Sequence, residues 1–563
     1  MTETTKRFLN GQIATASDGV SFDVLTPPDP KLGDYSTNLA FVLAKREGKR
    51  PVDVANALKL ELETDEMNAI AEIKVAPNGF LNFFLKPEFL EKQFSSVEAV
   101  NIGGQKKVIV EYSSPNIAKP MHIGHLRSTI IGDALANVYE KLGYDVTRWN
   151  FIGDWGTQYG KVIVQIKKEL EDSGKPLSEI YVSDINTSAK AYVKFHEDTK
   201  LNPGLEDKAR EEFKKLEEGD SENKVIWERD KKESLRELSR IFKELGVPDS
   251  DMVRKGESDY EPRLKPLIAE LEQKGVAKES EGALIIELDN LAPALLRKSD
   301  GATLYMTRDL ASLEDRIQNY QPAKILYVVA NQQALHFEQL FAVAKKLGWN
   351  SAELEHVKFG MVLGEDGKKL ATREGKVVLL EDVLREAEAK ALKVVKEKNP
   401  DAKNPEEIAR VIALGGLKYN DLKQHPHTDI KFDWDSMLDF AGNSGPYLQY
   451  TYARFANILS KAGTGDRPTS LPLGLDPEGK LIEHHVNKYW DILIECTQVN
   501  ALTGLALYLY ELAALLNRFY ESVRVLDEKD TDKKNARLRL IKIASDNLAD
   551  GLKLLGIQTL ERI

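Results

Sequence analysis

The feature that most constrains the fold of this chain is a strand, a turn and a helix that follow one another between residues 107 and 138. Lys107–Tyr112 is a short β-branched run typical of a buried parallel strand. Pro115 and Pro120 prevent an early helix, and after Gly124 the apolar residues recur at helical spacing. A strand that leads through a turn into a helix is the repeating unit of a doubly wound parallel sheet.

The turn of this unit carries His122, Gly124 and His125 at the predicted start of the helix. Free backbone N–H groups and the positive end of the helix dipole favour phosphate oxygens there, and a glycine lets a nucleotide approach the backbone. The alternative is a surface pair or half of a metal site. Cys496 is the only cysteine and no third ligand lies close in sequence, so we expect a nucleotide-phosphate site and no structural zinc.

The composition is typical of an ordinary folded protein. The chain has 563 residues, of which 42% are hydrophobic and 30% charged, enough for several domains with their own cores. The sequence shows no signal peptide and no apolar stretch long enough to cross a bilayer. A single cysteine suits a reducing compartment. Together these features predict a cytoplasmic protein without a membrane partner.

Ser113–Gly132 resembles the signature of the class I aminoacyl-tRNA synthetases, and its full wording resembles the arginyl-tRNA synthetases, a resemblance that covers nearly the whole chain. The resemblance implies ATP-dependent attachment of L-arginine to tRNA(Arg) through an arginyl-adenylate, with AMP and pyrophosphate released. The fold it implies is α/β: a Rossmann-like parallel-sheet catalytic domain (residues 105–400), an N-terminal α/β additional domain that contacts the tRNA elbow (1–104), and a C-terminal all-α helical bundle that binds the anticodon (401–563).

Strands and helices alternate from about residue 106 to 380, which predicts a doubly wound parallel sheet. The predicted strands are 107–112, 146–152, 283–288, 324–330 and 357–363. Between about 175 and 280 the chain is highly charged and helical, which indicates an insertion in this fold. From about 405 onward only helices are expected, and a generic bundle would fit that pattern as well as an anticodon-binding domain.

Specificity for arginine requires carboxylates, because the guanidinium is a planar fork of donors that stays charged. Glu111 ends the first predicted strand, where α/β enzymes place ligands, and Asp309 ends the run Leu304–Asp309. A salt bridge between Asp309 and Arg308 is the alternative, and a strand here would disfavour it because adjacent residues face opposite sides. The resemblance assigns the guanidinium to Asp309, Tyr305 and Glu111, the α-amino and carboxylate groups to Asn116 and Gln333, and a further arginine contact to Ser113.

For ATP, the resemblance implies contacts from His122, Gly124, His125, Met361, Val362 and Lys369. It assigns stabilisation of the phosphate charge to Lys119, His122, His125 and Arg373, together with Mg²⁺ that arrives as the ATP complex. The loop at 364–376 departs from the Lys-Met-Ser-Lys-Ser wording of the class because the second lysine is missing. Arg373 stands close to the missing lysine, and Lys119 is similar to the residue that compensates in such relatives. Without the histidine segment, a solvated hairpin would be the better interpretation of this loop.

Three residues are expected to contact tRNA, namely Asn38, Tyr447 and Tyr450. The two tyrosines share one helical face and could stack on bases, although a place in the core is the alternative for either one. The formal net charge of −11 does not exclude RNA, because screening lets a local basic face act alone. The expected partners are tRNA(Arg), L-arginine and ATP, and the chain is expected to act as a monomer.

Two other functions fit parts of the pattern. A different class I synthetase is the nearest enzyme, but paired carboxylates suit a cationic amino acid, and one cysteine cannot supply the zinc site of a cysteinyl enzyme. The second is a catalytically silent relative that serves as an RNA-binding or scaffold protein. The joint presence of six candidate site residues argues against it: Glu111, Lys119, His122, His125, Asp309 and Gln333.

Overall fold

The computed structural model describes residues 5–563 except 26, 28–29, 64–68, 87–88, 90–99, 120, 178, 180–186, 300, 365–366, 368–369, 371, 374–375 and 464–475. The N-terminal elements are α1 (Thr5–Ala14), β1 (Val24–Leu25), β2 (Tyr35–Thr37), α2 (Leu39–Glu47), α3 (Pro51–Leu62), β3 (Ile70–Val75) and β4 (Leu81–Leu85). The strands form an antiparallel sheet of order β1-β2-β4-β3. Leu9, Leu39 and Phe83 belong to a core of their own. The small α/β domain predicted here is confirmed.

The central part of the chain is built on a parallel sheet. Its elements, in chain order, are β5 (Lys107–Glu111), α4 (Ile123–Lys141), β6 (Asp145–Ile152), α5 (Thr157–Ser173), α6 (Thr187–Leu201), α7 (Leu205–Glu217), α8 (Ser221–Leu245), β7 (Val253–Gly256), α9 (Glu257–Gln273), β8 (Lys278–Ser280), β9 (Ala283–Leu288), β10 (Leu291–Arg297), α10 (Tyr305–Asp315), β11 (Lys324–Ala330), α11 (Ala334–Lys346), β12 (Glu353–Phe359), β13 (Val362–Leu363), β14 (Thr372–Arg373), β15 (Lys376–Val377) and α12 (Leu380–Lys398). The order of the five-stranded sheet is β12-β11-β5-β6-β7. Val108 and Val110 pack into one hydrophobic core and Ile109 into another, as expected for a sheet covered on both faces.

Most of the predicted strands are present, and two expectations were wrong. The predicted strand 283–288 exists as β9, but it lies in an antiparallel sheet of order β10-β9-β8 and not in the parallel one. The edge strand β7 was missed because Val253–Gly256 has one apolar side chain in a stretch expected to be helical. The insertion helices α6, α7 and α8 therefore end at Leu245, and the chain returns to the parallel sheet within the range 175–280.

The C-terminal part is helical, as predicted. Its elements are α13 (Pro405–Leu422), β16 (Ile430–Lys431), α14 (Trp434–Met437), α15 (Gly445–Ala462), α16 (Pro477–Val486), α17 (Tyr489–Val499), α18 (Thr503–Ser522) and α19 (Thr531–Leu554). The short strand β16 is an exception to the expected all-helical pattern, and it pairs in parallel with β13. Among the helices that the structure describes, none is long and apolar enough to cross a membrane.

Helix α4 connects the parallel sheet to the C-terminal helices. Arg127 is buried and binds the carboxylate of Asp421 on α13, with Nε 3.1 Å from Oδ2, and it donates to the carbonyl of Thr428 at 2.8 Å. The hydroxyl of Tyr139 donates to Asn500 at 2.7 Å. Breaking a buried ion pair by removing one partner costs about 3 to 5 kcal/mol, so these contacts hold the two parts firmly together.

Replacing Gly160 with alanine should destabilise the protein, because the added Cβ would overlap the carbonyl oxygen of Ala209 where α5 packs on α7. The expected loss is about 1 to 3 kcal/mol of unfolding free energy. Gly504→Ala on α18 is the matched control, since nothing lies within 4 Å of its Cβ and alanine favours helix. Differential scanning calorimetry should show a lower midpoint for Gly160→Ala only. Equal midpoints for the two variants would contradict the close packing.

Candidate active site

The start of α4 is held by two histidines that cap it from both directions. His122 Nδ1 accepts the N–H of Gly124 at 3.1 Å, and His125 Nδ1 accepts the N–H of His122 at 3.1 Å. The two rings lie 3.9 Å apart, centroid to centroid. Because Nδ1 is the acceptor in both neutral rings, the proton sits on Nε2, which becomes the donor.

The charge of His125 follows from its surroundings. Burial lowers the pKa of His125 to about 3, and the positive charge of Lys119 acts in the same direction. His125 is therefore neutral at physiological pH, and it offers an N–H without adding a positive charge. A neutral donor suits a phosphate oxygen that cations elsewhere neutralise.

A cavity of about 480 Å³ opens beside this helix start, which is large enough for a nucleoside. It lies between the beginning of α4, the end of β11 and the connection from β12 to β13. Five of the six residues predicted to bind ATP line it, as does Gln333: His122, Gly124, His125, Met361 and Val362. The sixth, Lys369, lies outside the described residues.

The run that contains Asp309 is the first turn of α10 and not a strand, so that expectation was wrong. Tyr305 is the first residue of this helix and is 68% exposed. Arg308 turns away from Asp309 and donates to Glu261 at 2.7 Å. Asp309 instead faces His336, with Oδ2 2.5 Å from Nε2. The alternative of an Arg308–Asp309 salt bridge is therefore wrong. The reason is that the two side chains leave helix α10 towards different partners, and not that they lie on opposite faces of a strand.

His336 is more basic than an ordinary histidine because of this neighbour. Burial lowers the pKa of His336, but its hydrogen bond to Asp309 and the charges of Asp309 and Glu111 raise it overall. Asp309 thus favours the protonated form of His336. The hydrogen bond to His336 thus lowers the cost of keeping the Asp309 carboxylate in a partly buried place.

Glu111 also has a cationic partner within the chain. Arg316, which is buried, donates from Nη2 to the Glu111 carboxylate. The guanidinium lies over the rings of Trp149 (4.6 Å) and Tyr327 (5.2 Å). Burial raises the pKa of Glu111, and the charge of Arg316 opposes that rise. Glu111 would therefore meet a substrate as half of an internal ion pair.

Glu257, at the start of α9, is a candidate that the sequence did not reveal. It follows β7 directly and so lies at the carboxyl edge of the parallel sheet, where ligands bind. Burial raises the pKa of Glu257 to about 8 although Arg308 opposes the rise, and the charges of Asp309, Asp154 and Glu261 raise it further. Recognition of β7 as a strand would have pointed to this residue.

The remaining predicted arginine ligands lie on turns around the same sheet edge. Ser113 has φ +50° and its N–H donates to Ser128 Oγ at 2.9 Å, while its buried hydroxyl has no partner among the described residues. Asn116 pairs with Gly153 through its backbone, and its side chain accepts the N–H of Ala118 at 3.2 Å.

Of the predicted cations, Lys119 is the one whose side chain the structure describes. Lys119 is exposed, with Nζ 5.3 Å from the ring of Tyr192 on α6, and it lines a second cavity of about 450 Å³ against the insertion. Arg373 belongs to β14, which forms a two-stranded hairpin with β15, but its side chain lies outside the described residues.

The predicted tRNA contacts differ in how accessible they are. Asn38 is engaged with Asp23, since Nδ2 donates to Oδ2 at 2.8 Å and Oδ1 accepts the backbone N–H at 2.7 Å. Tyr447 is half-buried and accepts from Asn517 at 3.1 Å. Tyr450 is 38% exposed and stacks on the guanidinium of Arg454. Of the three side chains, Tyr450 is the one best placed for a base.

Comparisons with known proteins agree with this arrangement. The model of the family "tRNA synthetases class I (R), catalytic domain" matches residues 90–434, the DALR anticodon binding domain matches 448–563, and the arginyl tRNA synthetase N terminal domain matches 4–85. The arginine–tRNA ligase of an Exiguobacterium species is 38% identical over 93% of this chain and 92% of its own length. Two solved arginyl-tRNA synthetases, each 27% identical, are similar in structure: the Plasmodium falciparum enzyme (TM-score 0.86, 99% of this chain and 98% of that one) and the Thermus thermophilus enzyme (TM-score 0.85, 100% of both).

A parallel sheet whose first turn carries a capped histidine pair beside a nucleotide-sized cavity, matched by the catalytic-domain model over more than half of the chain, defines a class I aminoacyl-tRNA synthetase. The N-terminal and C-terminal matches specify it further. The chain belongs to the arginyl-tRNA synthetase family and is an arginine–tRNA ligase, which uses ATP to attach arginine to tRNA.

Replacing His125 with alanine should lower turnover far more than it raises the KM for arginine. The variant loses the Nε2 donor and also the cap on the His122 N–H. Loss of one preorganised donor typically lowers kcat by about 10²- to 10³-fold. Steady-state aminoacylation at varied arginine and ATP gives both constants. Unchanged turnover would contradict a role for His125 at the phosphate.

Proposed function

We propose that the arginine guanidinium binds between Asp309 and Glu257, with Tyr305 at the rim of the pocket. The observation that carries this proposal is the presence of two partly buried carboxylates, on α10 and α9, of which Glu257 lies 3.8 Å from Arg308, the neighbour of Asp309, and is acted on by the charge of Asp309. A guanidinium has donors enough for both, and it meets carboxylates in a planar fork. Glu111 adds a third carboxylate to the guanidinium site while it remains paired with Arg316. Ser113, Asn116 and Gln333 bind the α-amino and carboxylate groups of arginine.

ATP is proposed to occupy the 480 Å³ cavity with its phosphates at the start of α4. Support comes from the positive end of the helix dipole and from the two Nε2 donors, which favour phosphate oxygens. Lys119, Lys369 and Arg373 supply positive charge. Mg²⁺ enters with ATP, because the phosphate oxygens are the hard ligands that it prefers.

The chemistry follows from this arrangement. A carboxylate oxygen of arginine attacks the α-phosphorus in line, the new P–O bond forms, and the bond to the pyrophosphate oxygen breaks with its electron pair. No general base is needed, because the attacking carboxylate is already ionised. A hydroxyl of the terminal adenosine of tRNA(Arg) then attacks the arginyl carbonyl, and AMP leaves. His122 and His125 hold the phosphate oxygens as charge develops.

Further features of the enzyme remain proposals. Asn38, Tyr447 and Tyr450 are proposed to contact tRNA, and Tyr450 has the strongest support because its ring is partly exposed. We also propose that the enzyme acts as a monomer in the cytoplasm. The single cysteine, Cys496, is buried, which is compatible with a reducing compartment.

Aminoacylation of bulk tRNA with each labelled amino acid in turn tests the substrate. Arginine alone should be charged, and lysine should fail because one ammonium leaves part of a carboxylate pair unpaired. Sites of this kind can reject analogues by roughly 10⁴-fold or more. Charging of lysine at a similar rate would contradict the pocket.

Asp309→Ala should raise the KM for arginine by about 10- to 100-fold, the usual worth of a hydrogen bond to a charged group, with a smaller effect on turnover. Asp309→Asn keeps the shape of the side chain and removes its charge, so it should also raise the KM for arginine. The KM for ATP, measured in the same series, is the internal reference. An unaltered arginine KM in both variants would rule out Asp309 as a ligand.

The KM for arginine should fall as the pH rises from about 7 to about 9. Glu257, with a pKa raised to about 8, is mostly protonated at the lower pH and binds a guanidinium only after losing that proton. Glu257→Gln should raise the KM for arginine and flatten this part of the profile. Steady-state kinetics across the pH range checks both. A Glu257→Gln profile identical to that of the unaltered enzyme would exclude this role.

A further inference from the structure

Asp154 lies in the turn after β6 and is fully buried. Its carboxylate reaches the start of α9, more than a hundred residues further along the chain. Oδ1 accepts the backbone N–H of Ser258 at 2.9 Å, and Oδ2 accepts the hydroxyl of the same residue at 2.6 Å. Ser258 is the second residue of α9, so Asp154 occupies the place that an N-cap side chain would normally take.

The residue at the cap position itself, Gly256, explains why this cap comes from elsewhere. A glycine has no side chain to cap the helix, and its φ of −96° is one that any residue could adopt. A Cβ added there would overlap the carboxylate of Asp154. Glycine at this position is therefore required by the close approach of Asp154 and not by backbone conformation.

The insertion also contacts Asp154. Lys231 on α8 places Nζ 2.5 Å from Oδ2, and Trp227 on the same helix donates from Nε1 to the backbone carbonyl of Asp154 at 2.8 Å. The neighbouring Trp155 packs edge-on against Trp227 and against Phe213 on α7. The turn after β6 thus contacts two insertion helices, α7 and α8, on one side and α9 on the other.

We propose that Asp154 is a positioning residue of the arginine pocket: it caps α9 across the sheet, fixes Glu257 between Gly256 and Ser258, and ties that position to the insertion through Lys231. Glu257 is the first residue of α9, and the residue that follows it is held by two hydrogen bonds to Asp154, while the Asp154 carboxylate packs too close to Gly256 on the other side to admit a Cβ. The inference rests on the proposed role of Glu257 as a guanidinium ligand. Asp154 does not touch the substrate, and its effect on the reaction passes through Glu257.

The test compares Asp154→Asn, Ser258→Ala and Lys231→Met in the full-length enzyme. Asp154→Asn loses the acceptor for the Ser258 hydroxyl and for Lys231, and it should raise the KM for arginine by about tenfold or more, the worth of a hydrogen bond to a charged group. Ser258→Ala keeps the backbone N–H bond and should raise it less. In each variant the KM for ATP and the turnover at saturating arginine should change by less than about threefold.

Glu212→Gln is the matched control. Glu212 is a partly buried carboxylate of the insertion, on α7, and it accepts from Lys167 at 2.7 Å and from the Asn223 side chain at 2.9 Å. Among the described residues, its hydrogen bonds and ion pairs go to α5, α7 and α8, and none reaches α9 or the turn after β6. Its substitution should cost stability without moving the KM for arginine, and thermal unfolding of all variants separates lost stability from lost positioning.

The pH profile supplies a readout that a merely structural role would not move. The groups that act on the charge of Glu257 are Arg308 and Asp309 on α10, Glu261 on α9 and Asp154, whose neighbour Lys231 lies on α8. Removing the charge of Asp154 should shift the midpoint of the arginine KM profile to lower pH, and removing Lys231 should shift it to higher pH. Glu212→Gln should leave the midpoint in place.

Each outcome has one meaning. If Glu257→Gln changes the KM for arginine but Asp154→Asn behaves like Glu212→Gln in both the KM and the midpoint, the positioning role is wrong while the proposed pocket stands. If Glu257→Gln has no effect on the KM, the proposed pocket fails first. If Asp154→Asn raises the KM values for arginine and ATP equally, Asp154 serves general structure and the inference is overturned.

Discussion

The reciprocal hydrogen bonds between the histidine side chains and the first turn of α4 are the interaction on which the rest of the site depends. They satisfy backbone donors at a helix start that is otherwise buried, and they fix the proton of each neutral ring on Nε2. The same helix is almost wholly enclosed, because it lies between the parallel sheet and the C-terminal helices. The position of α4 therefore sets the position of the two Nε2 donors, and the burial around it also keeps His125 neutral.

The second constraint is electrostatic. A pocket for a cation must keep carboxylates near one another in a partly buried place, and bare negative charges there would be costly. The chain meets this cost with internal partners: Arg316 for Glu111, and His336 for Asp309. Glu257 is treated differently, since its closest cation, Arg308, is 3.8 Å away and its neutral form is favoured. In the proposed pocket, an arriving guanidinium would replace a proton on Glu257 and compete with His336 for Asp309.

Features of the fold and site that depend on residues close together in sequence could be predicted, and features that depend on residues far apart could not. The strand at Lys107–Glu111, the turn and α4 are local patterns, and the residues that line the nucleotide cavity follow from them and from the family wording. The run Leu304–Asp309 was interpreted as a strand, in part because Tyr305 and Thr307 favour strands, but it forms the start of the helix Tyr305–Asp315.

The missed features are ones that local pattern does not encode. β7 is a short edge strand with little apolar character, and without it Glu257 has no visible place at the sheet edge. Asp154 and Ser258 are 104 positions apart, so no spacing rule connects them. Arg316 was missed for the same reason, because its partner Glu111 is 205 positions away. Long-range contacts of this kind supply the second layer of the site, and they become visible only in three dimensions.

One wall of the cavity beside α4 depends on a segment that follows the first C-terminal helix. The backbone N–H of Met361 donates to Asp429 at 2.7 Å, and β13 pairs with β16 immediately beyond it. Arg127, two residues after His125, forms an ion pair with Asp421 and donates to the carbonyls of Thr428 and Pro426. The catalytic fold therefore draws on the chain as far as Lys431. A fragment ended near residue 400 would bury the charge of Arg127 without its carboxylate and would lose the partner strand of β13, so the ATP site and the first C-terminal helix must fold together.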